Sequence, residues 1–166
     1  MSTNEFVKSK INNKEELQYI LSYYRFKEKK IVFTNGCFDL LHRGHIEYLM
    51  QAAACGDVLI VGLNSDKSVK KLKGADRPLQ DEKSRALILA SLLFVDHVVL
   101  FDEETPVELI KSIQPDVLVK GGDYKEEEIV GNEVVTEKGG KVKIIDYLSG
   151  YSTTSLVDKI KKIFTN

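Results

Sequence analysis

The chain has 166 residues, an apolar content of 43% and a formal net charge of −1 at neutral pH. A chain of this length buries a substantial core, so we expect residues 1–166 to form a single domain. The near-neutral charge argues against a broad surface for nucleic acid or membranes, and no apolar run approaches the ~20 residues of a membrane-spanning helix.

Two further features concern the cellular compartment. The first eight residues lack the apolar core of a signal peptide. Cys37 and Cys55 lack metal-ligand spacing and an extracellular context, so reduced thiols are expected. We therefore expect a cytoplasmic protein that has neither nucleic acid nor a membrane as its partner.

Helical and extended patterns alternate along the chain. Asn13 followed by Glu16 predicts a capped helix over about residues 13–25, packed on the domain. Later helices are expected to begin near Gly44, Asp81, Thr105 (as the capping residue), Asn132 and Ser152. Short apolar runs between them predict strands at residues 30–33, 58–63, 97–101, 116–120 and 141–147.

This alternation predicts an α/β, Rossmann-like fold with a five-stranded parallel sheet and helices on both faces. In such sheets ligands bind beside the carboxyl ends of the strands. Polar clusters follow four of the predicted strands, at residues 35–45, 64–66, 121–124 and 150–154. Their convergence on one edge of the sheet predicts a single binding site.

The first of these clusters joins a strand to a helix. Residues 34–45 read Thr-Asn-Gly-Cys-Phe-Asp-Leu-Leu-His-Arg-Gly-His. Backbone N–H groups at a helix start bind anions such as phosphate, and His42 and His45 can donate to phosphate oxygens. The alternative is an ordinary helix start with two solvated histidines. Gly36 either allows the backbone to approach a ligand closely or simply forms the turn.

Residues 36–45 resemble the signature of the HxGH nucleotidylyltransferases, which include cytidylyltransferases and sugar-phosphate adenylyltransferases. Cys37 departs from that signature, because many relatives have Val or Thr there. Further matching motifs follow in order at residues 64–66 (Asn-Ser-Asp), 72–74 (Leu-Lys-Gly), 77–78 (Arg-Pro), 120–124 (Lys-Gly-Gly-Asp-Tyr) and 152–154 (Ser-Thr-Thr). Together these motifs are most similar to the adenylyltransferase family of bacterial ADP-heptose synthesis.

The resemblance implies transfer of AMP from ATP to D-glycero-D-manno-heptose 1-phosphate with Mg²⁺. The products would be pyrophosphate and ADP-heptose, a lipopolysaccharide precursor. His42 and His45 would stabilise the α-phosphate in the transition state, and Lys73 would assist the phosphates. We expect nucleotide contacts from Asn35, Gly36, Cys37, Phe38, Asp39, Gly44, Lys120, Gly122, Asp123, Ser152, Thr153 and Thr154. Acceptor contacts are expected from Asn64, Lys71 and Arg77.

Several of these residues also suggest a role by their own chemistry. Arg85 lies early in a mostly apolar helix, where a cation needs a partner, so we count it as a catalytic, phosphate-binding residue. Lys71 and Lys73 belong to a basic run that either reaches a triphosphate or forms a solvated face. Asp123, after two glycines, either accepts from ribose hydroxyls or belongs to a tight turn.

Asp39 would orient a donor or hold Mg²⁺ through water, and no protein ligand to a metal is predicted. A zinc site at His42 and His45 lacks a nearby third ligand. We expect a homodimer whose substrates are ATP and a sugar 1-phosphate.

Alternative functions remain open at this point. The same chemistry could use CTP with glycerol 3-phosphate or ATP with flavin mononucleotide, or the fold could be a nucleotide-binding module without turnover. Glycerol-phosphate relatives commonly place an arginine shortly before the Ser-Thr-Thr motif. Residues 146–151 contain no arginine, which disfavours the cytidylyl reaction.

Overall fold

The computed structural model of the protein describes residues 1–122, 125 and 128–164. Within this part the strands are β1 (Ile11–Asn12), β2 (Ile31–Gly36), β3 (Val58–Asn64), β4 (His97–Phe101), β5 (Val117–Gly121) and β6 (Lys141–Ile145). The helices are α1 (Thr3–Ser9), α2 (Lys14–Phe26), α3 (Arg43–Ala53), α4 (Asp66–Lys73), α5 (Glu82–Ala90), α6 (Val107–Ile113), α7 (Asn132–Thr136) and α8 (Thr153–Phe164).

The strands form one parallel sheet in the order β1-β4-β3-β2-β5-β6. The Rossmann-like α/β prediction is therefore confirmed, but the sheet has six strands in the described chain, not five. The additional strand is β1, whose two residues pair with Val98 and Val99 of β4. Two residues are too few to show the alternation by which strands are recognised in a sequence.

Successive strand residues point to opposite faces of the sheet, and each face carries its own apolar cluster. Val32 packs in one cluster with Leu49 of α3 and Leu89 of α5. Phe33, the next residue along β2, packs in the other with Leu21 of α2. All seven residues of β3 are buried, as expected for a strand covered on both faces.

The helix starts that were predicted agree with the structure except at α6. At α2, Asn13 Oδ1 accepts from Glu16 N (2.8 Å), while Asn13 N donates to Glu16 Oε2 (3.0 Å), which confirms the predicted cap. The prediction that Thr105 caps α6 is wrong, because Pro106 holds the capping position and no side chain caps the helix. α1 and α4 were not predicted.

The connection order determines where a ligand can bind. From β2 the chain continues to β3 and β4 on one side, whereas β5 and β6 lie on the other side of β2. Open α/β sheets bind ligands in the crevice at such a reversal, outside the carboxyl ends of the strands. The site is therefore expected above β2 and its neighbours. None of the described helices combines the length and apolar character needed to cross a membrane.

The packing of α3 generates a stability prediction. Leu49 is fully buried, so Leu49→Ala should lower the free energy of unfolding by about 2–5 kcal/mol, the range for truncating a core leucine. Met50, its neighbour, is 46% exposed, and Met50→Ala should change that free energy by less than about 0.5 kcal/mol. Urea unfolding measures both, and equal losses would contradict the packing of α3.

Candidate active site

A cavity of about 790 Å³ lies at the carboxyl ends of the strands. Its wall is built from the end of β2, the starts of α3 and α8, the end of α4, and β5. Most of the predicted site residues line it: Asn35, Gly36, Cys37, Phe38, Asp39, His42, Gly44, His45, Lys73, Arg77, Lys120, Ser152, Thr153 and Thr154. Three of the four predicted polar clusters, at residues 35–45, 121–124 and 150–154, therefore contribute to one cavity, whereas residues 64–66 do not line it.

His42 and His45 stand side by side at the start of α3. Their ring centroids are 3.8 Å apart and their planes differ by 25°, so the rings are stacked. Burial lowers the pKa of His42; burial, with the charge of His42 next, lowers the pKa of His45 to about 4. Both pKa shifts favour the neutral imidazole at pH 7.

The Nδ1 atoms of these two histidines are buried and have no hydrogen-bond partner among the described residues. Most buried polar groups in proteins are paired, because an unpaired one loses its hydration without compensation. The pair therefore leaves hydrogen-bonding capacity unused at a helix start that lines the cavity.

The backbone around the histidines is closely packed. A Cβ atom on Gly44 would lie 3.0 Å from His42 Nδ1 and 3.2 Å from Tyr151 Cβ. Phe38 has a positive φ of 43°, unusual for a residue other than glycine, and its ring meets the edge of His45 at 5.4 Å between centroids. These contacts hold the His45 ring against the turn.

Arg85 does not line the cavity, contrary to a direct role in phosphate binding. Its side chain is fully buried and contacts three protein acceptors. Nη1 donates to the Cys37 carbonyl (2.6 Å), Nη2 to Asp66 Oδ1 (2.8 Å) and Nε to the Gln80 carbonyl (3.0 Å). The cation in this apolar helix did need a partner, but the protein itself supplies it.

The Asp39 carboxylate is also occupied by protein donors. It accepts from the backbone N–H groups of Leu79 (2.8 Å) and Gln80 (3.0 Å) and pairs with Arg77 Nε at 3.0 Å. Leu79 N lies within 3.0 Å of the second oxygen as well. These contacts use the lone pairs that a magnesium-bound water would require, so Asp39 fastens the 77–80 loop to the turn after β2.

The basic run divides between the cavity and the surface. Lys73, at the end of α4, lines the cavity. Lys71 does not, and its Nζ lies 3.6 Å from Glu104 Oε1. Asn64 is buried outside the cavity, where its Nδ2 donates to Ser68 Oγ (3.0 Å). Lys71 and Asn64, which were predicted to contact the acceptor, therefore do not line the cavity.

The wall near β5 includes residues that the sequence analysis missed. Tyr48 lies on α3, one turn after His45; its hydroxyl is 2.6 Å from Thr34 Oγ1 and donates to the Val119 carbonyl (3.2 Å). A Cβ on Gly121 would lie 2.7 Å from the Tyr147 ring, so this wall needs a glycine. The helical spacing from His45 to Tyr48 was the available signal.

Gly122 and Asp123, which were also predicted to contact the nucleotide, directly follow Gly121 in the chain. Gly122 is buried with φ 116° and is not among the residues that line the cavity. Asp123 lies outside the described residues.

The start of α8 closes the remaining side. Ser152 Oγ accepts from Ser155 N (3.0 Å), so Ser152 caps α8 as predicted. Thr153 Oγ1 lies 3.5 Å from the Leu40 carbonyl, and the guanidinium carbon of Arg43 lies 5.8 Å from the centre of the Tyr151 ring. These contacts join α8 to the turn that carries the histidines.

The described residues contain no group of three or more His, Cys, Asp or Glu side chains placed to hold a metal ion. Hydrogen-bond donors and cations surround the start of α3 in the cavity: His42, His45, Lys73, Arg77 and Lys120 all line it.

Comparison with known proteins identifies the family. The cytidylyltransferase-like family matches residues 33–159. The chain belongs to this family. The match confirms the superfamily recognised from residues 36–45, and with it the nucleotidyltransferase class.

Its curated relatives are longer proteins. The chain is 57% identical over 152 residues to the bifunctional protein HldE of Campylobacter jejuni subsp. doylei. It is 55% identical over 152 residues to that of Wolinella succinogenes. Each alignment covers 92% of this chain but only 32% and 31% of the relative, so the chain spans about a third of their length.

Solved structures share the fold. A lipopolysaccharide core biosynthesis protein from Thermoplasma volcanium is 29% identical, with a TM-score of 0.61 over 75% of this chain and 99% of its own. A pantoate-beta-alanine ligase from Francisella tularensis has a TM-score of 0.59 over 94% of this chain and 79% of its own. At 18% identity, the second likeness concerns the fold alone.

The half-buried His45 generates a prediction about pH. An unfolded histidine binds a proton near pH 6.5, whereas His45 in the folded protein does so only near pH 4. His45 therefore supports folding above pH 6.5, and this contribution is lost as the pH falls from 6.5 to 4. In the His45→Gln variant, the free energy of unfolding should therefore fall less steeply than in the wild-type chain as the pH is lowered from 6.5 to 4.

Urea unfolding at several pH values measures the slope. Gln51→Ala, an exposed change on the same helix without a titrating group, is the control and should keep the wild-type slope. An unchanged slope in His45→Gln would contradict a neutral, buried His45.

Proposed function

We propose that the chain transfers AMP from ATP to D-glycero-D-manno-heptose 1-phosphate, releasing pyrophosphate and forming ADP-heptose. The stacked pair His42 and His45, with unpaired Nδ1 atoms at the start of α3, is the observation that carries the chemistry. The motifs at residues 120–124 and 152–154 and the HldE relatives support the substrate pair. The lipopolysaccharide core biosynthesis protein among the structural neighbours supports the same area of metabolism.

The reaction needs no covalent intermediate on the protein. An oxygen of the acceptor phosphate, ionised at neutral pH, attacks the α-phosphorus of ATP and forms the new P–O bond. The bond from the α-phosphorus to the bridging oxygen breaks, and its electrons leave with pyrophosphate. The protein must position the two phosphates in line and stabilise the charge that develops between them.

The residues of the cavity divide these tasks. His42 and His45 donate to the oxygens of the α-phosphate, and Lys73 contacts the leaving pyrophosphate. The backbone of residues 35–39, with Gly44, approaches the nucleotide phosphates. Ser152, Thr153 and Thr154 offer hydroxyl and N–H donors to the nucleotide at the start of α8. Arg77, held by Asp39, offers a further cation to the bound substrates.

ATP would enter as its magnesium complex. Because protein donors occupy the Asp39 carboxylate, phosphate oxygens and water would supply the ligands of the ion, the arrangement that Mg²⁺ favours with nucleotides. We expect the reaction in the cytoplasm, where the free thiols of Cys37 and Cys55 would stay reduced.

We also expect a homodimer. α8 exposes the apolar side chains of Ile160, Ile163 and Phe164, the last at 84%, and a second copy would cover such a surface.

The histidine pair generates a kinetic prediction. His42→Ala and His45→Ala should each lower kcat by about 10²-fold or more, the effect of removing one donor to a developing oxyanion. KM for ATP should change much less, because the donors act mainly in the transition state. Pyrophosphate release measures both constants, with Gln51→Ala as a surface control. Near-normal kcat in both variants would refute their catalytic role.

The substrate pair is tested by measuring kcat/KM for ATP and CTP, each with heptose 1-phosphate and with glycerol 3-phosphate. Flavin mononucleotide with ATP is a further arm. We expect the highest value for ATP with heptose 1-phosphate, since residues 146–151 lack the arginine of glycerol-phosphate relatives. A higher value for CTP with glycerol 3-phosphate would replace the substrates. Release of no pyrophosphate from any pair would indicate a nucleotide-binding module.

A further inference from the structure

Lys120 lies at the place where the strand order of the sheet reverses. It lies on β5 and faces β2 across the point where the strand order reverses. Its Nζ donates to Asn35 Oδ1 near the end of β2, and both residues line the cavity. The Lys120–Asn35 hydrogen bond therefore crosses the crevice in which open α/β sheets bind ligands.

The Lys120 ammonium has unused binding capacity. In the described part of the chain it forms an ion pair with no carboxylate, and Asn35 is its only hydrogen-bond partner. An ammonium has three donors, and two of them have no partner among the residues that the structure describes. Burial lowers the pKa of Lys120 to about 8. A half-buried cation of this kind is stabilised when an anion binds beside it.

Groups able to hold a phosphate follow three neighbouring strands. Lys73 ends the helix after β3, the histidine pair follows β2, and Lys120 lies on β5. β3, β2 and β5 are adjacent in that order. The spatial order of the groups across the cavity is therefore Lys73, the histidine pair and Lys120.

An in-line transfer places three groups in a comparable order: the leaving group, the reacting phosphorus and the attacking oxygen. The attacking and leaving oxygens lie on opposite sides of the phosphorus. With the α-phosphate at the histidines and the leaving pyrophosphate towards Lys73, the attacking phosphate approaches from the side of Lys120.

We propose that Lys120 binds the phosphate of the acceptor, an inference that rests on the proposed function. The sequence analysis counted Lys120 among the nucleotide contacts; the strand order favours the acceptor instead. The ammonium attracts the acceptor phosphate and holds one of its oxygens, while another oxygen attacks the α-phosphorus. No proton moves, because the acceptor oxygen is already ionised and Lys120 keeps its charge.

Lys120→Gln tests this assignment. Glutamine removes the charge but keeps a donor for Asn35 Oδ1, so the bridge between β5 and β2 can survive. The matched control is Lys143→Gln, an exposed lysine on the adjacent strand in register with Val119. Lys120→Arg keeps the charge and serves as a second variant.

Calorimetry on the full chain measures two dissociation constants with Mg²⁺ present. The first is for α,β-methylene-ATP alone, and the second is for heptose 1-phosphate binding to the complex with that analogue. In Lys120→Gln we expect the acceptor Kd to rise about tenfold or more, as for the loss of one charge-assisted hydrogen bond. The analogue Kd should change less than about twofold, and Lys143→Gln should alter neither constant. Lys120→Arg should retain most of the acceptor affinity.

Two outcomes would overturn the inference. An unchanged acceptor Kd in Lys120→Gln would remove Lys120 from the acceptor site. An equal or larger rise in the analogue Kd would assign it to the nucleotide. If Lys120→Gln does not fold, weak acceptor binding by a folded Lys120→Arg variant would likewise refute a charge contact. Failure of the proposed function is a separate result, since it appears as absent pyrophosphate release from the wild-type chain.

Discussion

The buried guanidinium of Arg85 holds together the segments that form the candidate active site. It binds the Cys37 carbonyl in the turn after β2, Asp66 at the start of α4, and the Gln80 carbonyl before α5. Gln80 is held from both sides, because its N–H donates to Asp39. A buried charge that lost these acceptors would cost several kcal/mol, so the three segments keep a fixed relation. The cavity wall depends on that relation.

A rigid turn after β2 also explains how two neutral histidines can serve a reaction between anions. Burial keeps both imidazoles uncharged, and the contacts of Phe38 and Gly44 fix the rings before any ligand binds. Donors that are fixed in advance need no reorganisation when charge develops, which is the basis of electrostatic catalysis. The backbone N–H groups at the start of α3 add their dipoles to the same position.

Much of this arrangement is predictable from the sequence, because strand ends and helix starts have local signals. The turn at residues 34–45 and the cap at Asn13 are examples. Three elements were missed for local reasons: β1 is too short, α1 has no buried residue, and the lysines of α4 mask its apolar residue Val69, which is fully buried. Apart from Gln80, five residues from Arg85, the partners of Arg85 and Asp39 are 19 to 48 residues away in the chain, so no local pattern reveals that these charges are satisfied internally.

The positive groups of the cavity differ in a way that suits a transfer between phosphates. Lys73 is exposed at a helix end, whereas Lys120 is half-buried beside β2, and the pKa values of the histidines between them are lowered towards the neutral form. In the proposed reaction, an exposed ammonium would follow pyrophosphate as it leaves, and a half-buried one would hold the incoming phosphate in a defined position. Neutral donors at the centre bind the ground-state α-phosphate only moderately and gain strength as its charge increases. Binding energy is then concentrated in the transition state, where it raises the rate.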